Sequence, residues 1–313
     1  MLTKRDPVRF TVALLFAVSI PLCDAAEVAF RLTKKDGVLQ DYYDHPNDFP
    51  VCRDKLDYVS FSTGVDPLIR PDGQRLFYTQ QATVEVFKGA GKNYAFTGKE
   101  TVDAIAKYEA QGFLVKYAVV YREDWLFRKG EGGPWKEDVR ILSEQELRSI
   151  RKAIAASNLK SKRSVELIQL LGARVQKHRG DTWYQIRRNR KLLKHLGNFD
   201  GVGTECHTND FDGEQIDDGP RTLDSMAMIA KWAKDNRKKA LVFMGGTAAS
   251  YRINRSTEAS YEYLWNRMGQ LKVDKTEDHL IYFRQGARAG THLPEKGRSL
   301  TGQLKWLIEK VKR

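Results

Sequence analysis

The stretch TWYQIRRNRKLLKHLGNFDGVGTE, residues 182–205, carries the unit from which the fold is read. Apolar residues recur at helical spacing through 182–197, with Asp181 placed to cap the start and Gly197 the end. Phe199–Glu205 follows at once as a short apolar strand. The same unit recurs downstream: helix 221–237 then strand 240–246, helix 256–271 then strand 279–286, and a closing helix 299–313. Strands that alternate with single helices form parallel βα units.

Upstream the pattern continues less regularly. A helix over 101–112 ends at Gly112 and feeds a strand at 113–121. Ser143 and Glu146 form a capping box at the head of the next helix. Residues 165–172 read as a strand, although so short an apolar run also fits a helix. Further strands are expected at 27–32, 56–64 and 82–89. Seven or eight mostly parallel strands define an α/β fold of TIM type, a (β/α)8 barrel, irregular in its N-terminal half. An open doubly wound sheet is the competing architecture, but its G-x-G-x-x-G turn follows none of the early strands.

The N-terminus reads as an export signal. Lys4, Arg5 and Arg9 precede the apolar run FTVALLFAVSIPL, and the small residues Ala25 and Ala26 follow it. The run is short for a membrane span, which needs about 20 residues. The expected division is a signal peptide at 1–25 and a single α/β-barrel domain at 26–313. The mature chain is then secreted or periplasmic, with no transmembrane segment. Cys52 and Cys206 would remain, and an oxidising compartment makes one disulfide between them an expectation, with two buried thiols as the alternative.

Lys and Arg total 53 against 40 Asp and Glu, a formal charge of +13, and removal of 1–25 leaves that surplus almost unchanged. The field favours anionic partners. No zinc-finger spacing or RNA-binding signature is present, so nucleic acid is not expected. The six histidines form no H-x-H or H-E-x-x-H pair, and neither a metal nor another cofactor is called for.

In a barrel, chemistry belongs to the C-terminal strand ends. Those ends gather Arg122, Glu123, Asp124, Trp125 and Trp135 after one strand, ECHTNDFDGE after 199–204, GGTAASYR after 240–244 and RQGARAGTH after 279–283. Strand alternation puts Gly201, Gly203 and Glu205 on one face and Val202, Thr204 and Cys206 on the other. The two glycines are expected to leave room below Glu205. The same alternation groups Val115, Val119 and Glu123. Glu205 and Glu123 are therefore the leading catalytic pair, with Asp124 and Asp210 in reserve. One carboxyl would act as acid, the other as base or nucleophile, in cleaving a glycosidic bond. Arg122, Trp125, His207, Asn209 and Arg284 are the expected substrate-binding residues, with indoles stacking on sugars and arginines holding anions. Strand-end acids also cap helices or pair with a neighbour such as Arg122, and that structural role competes at each position. Trp183, Trp232, Trp265 and Trp306 fall on helices and are assigned to packing.

At Phe199-Asp200-Gly201-Val202 the chain resembles TIM-barrel glycoside hydrolases, chitinase-like families in particular, whose strand reads F-D-G-I-D-x-D-x-E. Gly203 and Glu205 replace the two later aspartates, and His207 stands at the catalytic glutamate. The resemblance implies a barrel and hydrolysis of a poly- or oligosaccharide, with an anionic one favoured by the charge. Two further readings stay open: a phosphoester- or anion-processing barrel using Arg284, Arg288, His292 and the glycines 245–246, and a barrel that binds glycans without cleaving them.

Overall fold

Eight parallel strands close into one barrel in strict chain order. The computed structural model describes residues 26–32, 54–61, 78–88, 97–122, 141–172, 182–207, 219–246, 253–273, 279–285, 305 and 308–312. The strands are β1 (Glu27–Leu32), β2 (Tyr58–Phe61), β3 (Gln81–Lys88), β4 (Leu114–Arg122), β5 (Glu166–Gly172), β6 (Gly201–His207), β7 (Lys239–Gly246) and β8 (His279–Gln285). β8 pairs back onto β1, so no strand edge is left open. Between them lie α1 (Lys99–Glu109), α2 (Glu144–Ala156), α3 (Thr182–Arg188), α4 (Arg190–Leu196), α5 (Gly219–Asp235) and α6 (Ile253–Gln270). The sheet is closed, which excludes the open doubly wound alternative.

The register sets the barrel's geometry. Stepping from His207 to Gly245, Arg284, Arg31, Ser60, Thr83, Tyr117 and Glu166, the register returns to β6 at the level of Phe199. That offset of eight residues is the shear of the standard eight-stranded barrel, with its tilt of about 36°. Each step to the next strand therefore drops one residue along the axis, and interior positions from alternate strands share a level.

By register and alternation, the positions that share a level are, from the base upward: Glu27, Glu166 and Lys239; Tyr58, Tyr117, Gly201 and Leu280; Ala29, Thr83, Ile168 and Leu241; Ser60, Val119, Gly203 and Tyr282; Arg31, Glu85, Leu170 and Phe243; and Tyr121, Glu205 and Arg284. Ala29, Tyr58, Tyr117, Val119, Tyr121, Ile168, Leu170 and Leu241 form a buried cluster of their own, which is the barrel interior. The intervening residues, among them Val28, Phe30, Val84, Ala118, Val120 and Val242, pack outward onto Ile105, Ile150, Met226 and Leu264 of the helices.

Three local readings change. The single helix expected over 182–197 is two, broken at Asn189, whose side chain accepts from the Leu192 amide and caps α4. Asparagine favours this role because its carbonyl satisfies an otherwise orphaned helix donor. In β4 the register skips a residue: Ala82 pairs with Val115, but Thr83 pairs with Tyr117. Lys116 is the extra residue of this bulge. Val115 consequently joins the helix-facing layer while Val119 stays in the interior, so the two do not share a face. The strand interiors are also less apolar than their sequences suggest, as the levels above show.

The capping box is present as read. Ser143 Oγ accepts from the Glu146 amide at 3.2 Å, and Glu146 Oε2 accepts from the Ser143 amide at 2.9 Å. Gly112 takes a left-handed conformation (φ +85°) and ends the turn after α1. Trp265 is buried, and Trp183 and Trp232 pack at the edge of the apolar layer, as helix residues.

Candidate active site at the barrel mouth

The barrel has two polar ends with different chemistry. At the base, Glu27 Oε1 accepts from Tyr58 Oη at 2.7 Å, and Oε2 accepts from Tyr117 Oη at 2.6 Å and Lys239 Nζ at 2.9 Å. The Tyr58 and Tyr117 rings meet edge to face at 5.2 Å, and Lys239 Nζ lies 5.3 Å from the Tyr117 ring centre. Burial raises the Glu27 pKa, but the three hydrogen bonds outweigh it and hold the carboxyl below the usual glutamate range. Burial, followed by the bond to Glu27, pushes both tyrosines above their ordinary range. Beside them Lys116 pairs with Glu166 at 2.7 Å. These groups close the N-terminal end, where barrels carry stability rather than catalysis.

Glycines 201 and 203 belong to this packing. A Cβ on Gly203 would stand 2.4 Å from Leu241 Cδ2, and one on Gly201 would stand 2.7 Å from the Lys239 carbonyl oxygen. The space expected beneath Glu205 is thus occupied by β7. Asp200 is likewise structural. Its Oδ2 accepts from the Leu167 amide at 2.8 Å, and Arg151 donates to both carboxylate oxygens at 3.1 and 3.2 Å. Phe199 is fully buried in the helix-facing layer.

The upper levels are the candidate site. Glu205 sits in register between Gly172 of β5 and Phe243 of β7, and His207 lies opposite Gly245. Gly245 is in turn opposite Arg284, and Arg284 is opposite Arg31. Glycines late in strands mark places where another group approaches the backbone. Tyr121, Glu205 and Arg284 share a level, with Arg31 and Glu85 one level below. Glu85 is half-buried and accepts from Tyr121 Oη at 3.3 Å. Beneath them, the hydroxyls of Ser60 and Thr83 are fully buried with no hydrogen-bond partner among the described residues.

Of the expected site residues, the register brings Glu205 and Arg284 to one level, with His207 two residues beyond Glu205 on β6. Arg122 ends β4 opposite Lys88 and falls in the alternation of Ala118 and Val120, the helix-facing set. Glu123, Asp124, Trp125, Asn209 and Asp210 lie outside the described residues, as do the segment 1–25 and Cys52 of the expected disulfide. Cys206 is opposite Met244 on the other alternate from Glu205. Glu85, Tyr121 and Arg31 were not among the expected residues. Their signal was a charged or phenolic residue inside an apolar strand, and which alternate faces inward is not visible from one strand alone. Among the described residues no cluster of three or more His, Cys, Asp or Glu stands ready for a metal, and no helix is long and apolar enough to cross a membrane. The depression between α5 and α6, where Arg267 pairs with Asp224 at 2.8 Å, is on the outer helix layer.

No protein-family model matches the chain, and no curated protein matches it in sequence. Among solved structures it is similar to a Cellulomonas fimi endo-β-1,4-mannanase double mutant, at 12% identity and TM-score 0.46, over 91% of this chain and 70% of that one. A glycoside hydrolase family 5 enzyme from Prevotella bryantii matches at 10% identity and TM-score 0.43, over 93% and 97%. The Yersinia pestis dihydropteroate synthase matches at 9% identity and TM-score 0.41, over 91% and 92%. These likenesses are weak and span unrelated chemistries. The chain is a (β/α)8-barrel protein on the strength of its own register, and the fold leaves the reaction open.

Proposed function

We propose that this chain is an exported hydrolase of glycosidic bonds in an anionic glycan, with Glu205 as one of two catalytic carboxyl groups. The observation that supports the reading is the register, which puts the positions of Glu205 and Arg284 at one level, near the C-terminal strand ends and beside the glycines 172 and 245. A carboxylate at an open strand end, with a cation at its level, suits a reaction that builds positive charge on a sugar ring and must orient an acidic substrate. Glu123 is the proposed partner, with Asp124 and Asp210 as substitutes. Trp125, Asn209 and His207 would line the cleft beyond the strand ends, whereas the alternation of β4 turns the position of Arg122 toward the helices.

Hydrolysis is tested by reducing-end release from a panel of acidic and neutral polysaccharides. Glu205→Gln is expected to lower kcat by 100-fold or more (a general acid–base group is worth about 10²–10⁴-fold) without unfolding the barrel. If Glu205→Gln and Glu123→Gln both retain wild-type turnover, the assignment is wrong. Product stereochemistry then reports on the carboxyl spacing, since about 5 Å gives retention and about 6.5–9.5 Å inversion.

A further inference from the structure

The helix pair α3–α4, on the outside of the barrel, concentrates positive charge. Between Asp181 and Asp200 the chain carries five Lys and Arg and no carboxylate. Ile186 and Leu196 are buried, and Leu192 and Leu193 pack against the same cluster, with Leu171 of β5, Val202 of β6 and Ile229 of α5. All five cations, Arg187 and Arg188 at the end of α3 and Arg190, Lys191 and Lys194 on α4, are exposed. Lys194 stands three and four positions from Lys191 and Arg190, a spacing that makes it the surface neighbour of both. Like charges so placed repel, and the first turn of α4 holds two cations at the positive end of the helix dipole and no acid. Helix stability therefore does not account for Arg190 and Lys191.

The helices on either side do not neutralise the cluster. Arg151 of α2 donates to the Asn198 carbonyl at 3.0 Å, and Ser225 Oγ of α5 accepts from the Trp183 amide at 2.9 Å, so α2 and α5 flank the pair. Their carboxylates are engaged elsewhere: Glu144 with Arg148 at 3.3 Å, Glu146 in the capping box, Asp224 with Arg267 at 2.8 Å and Asp235 with Lys231 at 2.8 Å. Asp200, just beyond α4, is held by Arg151. Among the described residues no carboxylate pairs with Arg190, Lys191 or Lys194.

We propose that the outer face of α3–α4 is a docking surface for a linear anionic polysaccharide, held by its sulfate or carboxylate groups on the helix layer and away from the barrel mouth. Short runs rich in Lys and Arg attract such polyanions, and guanidinium groups fork onto their oxyanions. A bilayer surface would ask for apolar side chains beside the cations, and single-stranded nucleic acid for exposed rings on which bases stack. The exposed large apolar residues of the described surface are Tyr78, ahead of β3, and Leu114, the first residue of β4, both at the base of the barrel. Trp183 is packed against the apolar layer beneath the helices. The patch offers cations alone, which suits a hydrophilic, heavily charged chain. The inference goes beyond the hydrolase reading and stands without it, because docking on the helices needs no cleavage.

The test is binding by calorimetry in low salt to five probes: a heparin octasaccharide, octagalacturonate, neutral maltooctaose, a DNA duplex and phosphatidylglycerol vesicles. The wild-type chain is expected to bind one or both acidic oligosaccharides about tenfold or more tightly than the neutral one, with an affinity that falls as salt rises. Arg190→Gln, Lys191→Gln and Lys194→Gln combined should remove that preference and flatten the salt dependence, since fewer counterions are released. Lys160→Gln, Lys162→Gln and Arg163→Gln combined remove the same charge from the exposed turn before β5 and should bind as wild type. Circular dichroism and melting temperature establish folding, and each single Gln variant on α4 should already weaken binding. Unchanged binding by folded α4 variants would overturn the proposal, as would equal losses in the two triple variants, which would assign binding to net charge alone. A preference for the duplex or the vesicles over both acidic oligosaccharides would overturn it too. Because binding is read without turnover, the surface can stand while the Glu205→Gln test refutes hydrolysis, and the reverse.

Discussion

Lys239, the first residue of β7, reaches across the base of the barrel to Glu27, the first residue of β1, with Nζ 2.9 Å from Oε2. Only 12% of the lysine and 23% of the glutamate side chain is exposed, so each charge depends on the other. Glu27→Gln should cost about 2–3 kcal/mol in urea unfolding, somewhat under the ~3–5 kcal/mol of a fully buried pair. Lys239→Met should cost less, because Tyr58 and Tyr117 still donate to the carboxylate. The double variant should recover part of the loss, and strict additivity of the two costs would show that the pair is not coupled.

The same cluster sets the pH limits of stability. Glu27 is more acidic folded than unfolded, so its contribution is complete above the unfolded pKa and fades as pH falls from the ordinary glutamate range through the lower folded value. Tyr58 and Tyr117 are shifted upward, so their contribution is complete below about 10 and fades as pH rises beyond it. Melting temperature is therefore expected to be flat between these limits and to fall on both sides. Tyr117→Phe should lower the plateau and flatten the alkaline decline. An alkaline limb as steep as wild type in that variant would remove Tyr117 from the account.

Gly203 tests the middle of the barrel. Its missing Cβ leaves the space that Leu241 fills, with Cδ2, Cβ and Cγ at 2.4, 2.6 and 3.0 Å from where that atom would stand. Gly203→Ala should destabilise by about 1–3 kcal/mol through overpacking. Adding Leu241→Ala should restore little, because the Leu241 Cβ at 2.6 Å remains and a buried contact is lost. A neutral Gly203→Ala in denaturant titrations would mean that β6 and β7 shift apart freely at this level.

How far the fold could be read from the chain depended on which signals are local. Helix periodicity, the Ser143–Glu146 box and the Gly112 stop are written within a few residues, and they stand as read. The break at Asn189 was hidden because apolar spacing runs on through it while the cap acts through one side chain. The bulge at Lys116 depends on what β3 presents opposite, which no single strand encodes. For the site, alternation groups Gly201, Gly203 and Glu205, but the glycines answer to Leu241 and Lys239, residues nearly forty positions away. Glu85 escaped notice because a charge within an apolar strand is ambiguous until the closed register tells inside from outside.

The F-D-G-V stretch offers the sharpest separation of structure from chemistry. In the resemblance to glycoside hydrolases it marks a catalytic strand, yet Asp200 sits at the base of β6, where its main chain links the neighbours on both sides. The Asp200 amide donates to the Leu167 carbonyl at 3.0 Å, and its carbonyl accepts from the Lys239 amide at 3.1 Å. Its side chain adds the acceptor for the Leu167 amide and the fork to Arg151. Asp200→Ala should therefore lose about 1–2 kcal/mol, most of it from leaving the Leu167 amide unpaired. Asp200→Asn keeps an oxygen for that amide and gives up only an ion pair that is 31% exposed on the aspartate and 46% on the arginine, so it should cost under about 1 kcal/mol. Neither change should alter kcat for glycan hydrolysis per folded molecule, whereas Glu205→Gln, at the other end of the same strand, should alter kcat with little effect on stability. A fall in kcat for Asp200→Asn at unchanged stability would move the chemistry to the base of the barrel and contradict the division of β6 into a structural foot and a reactive tip.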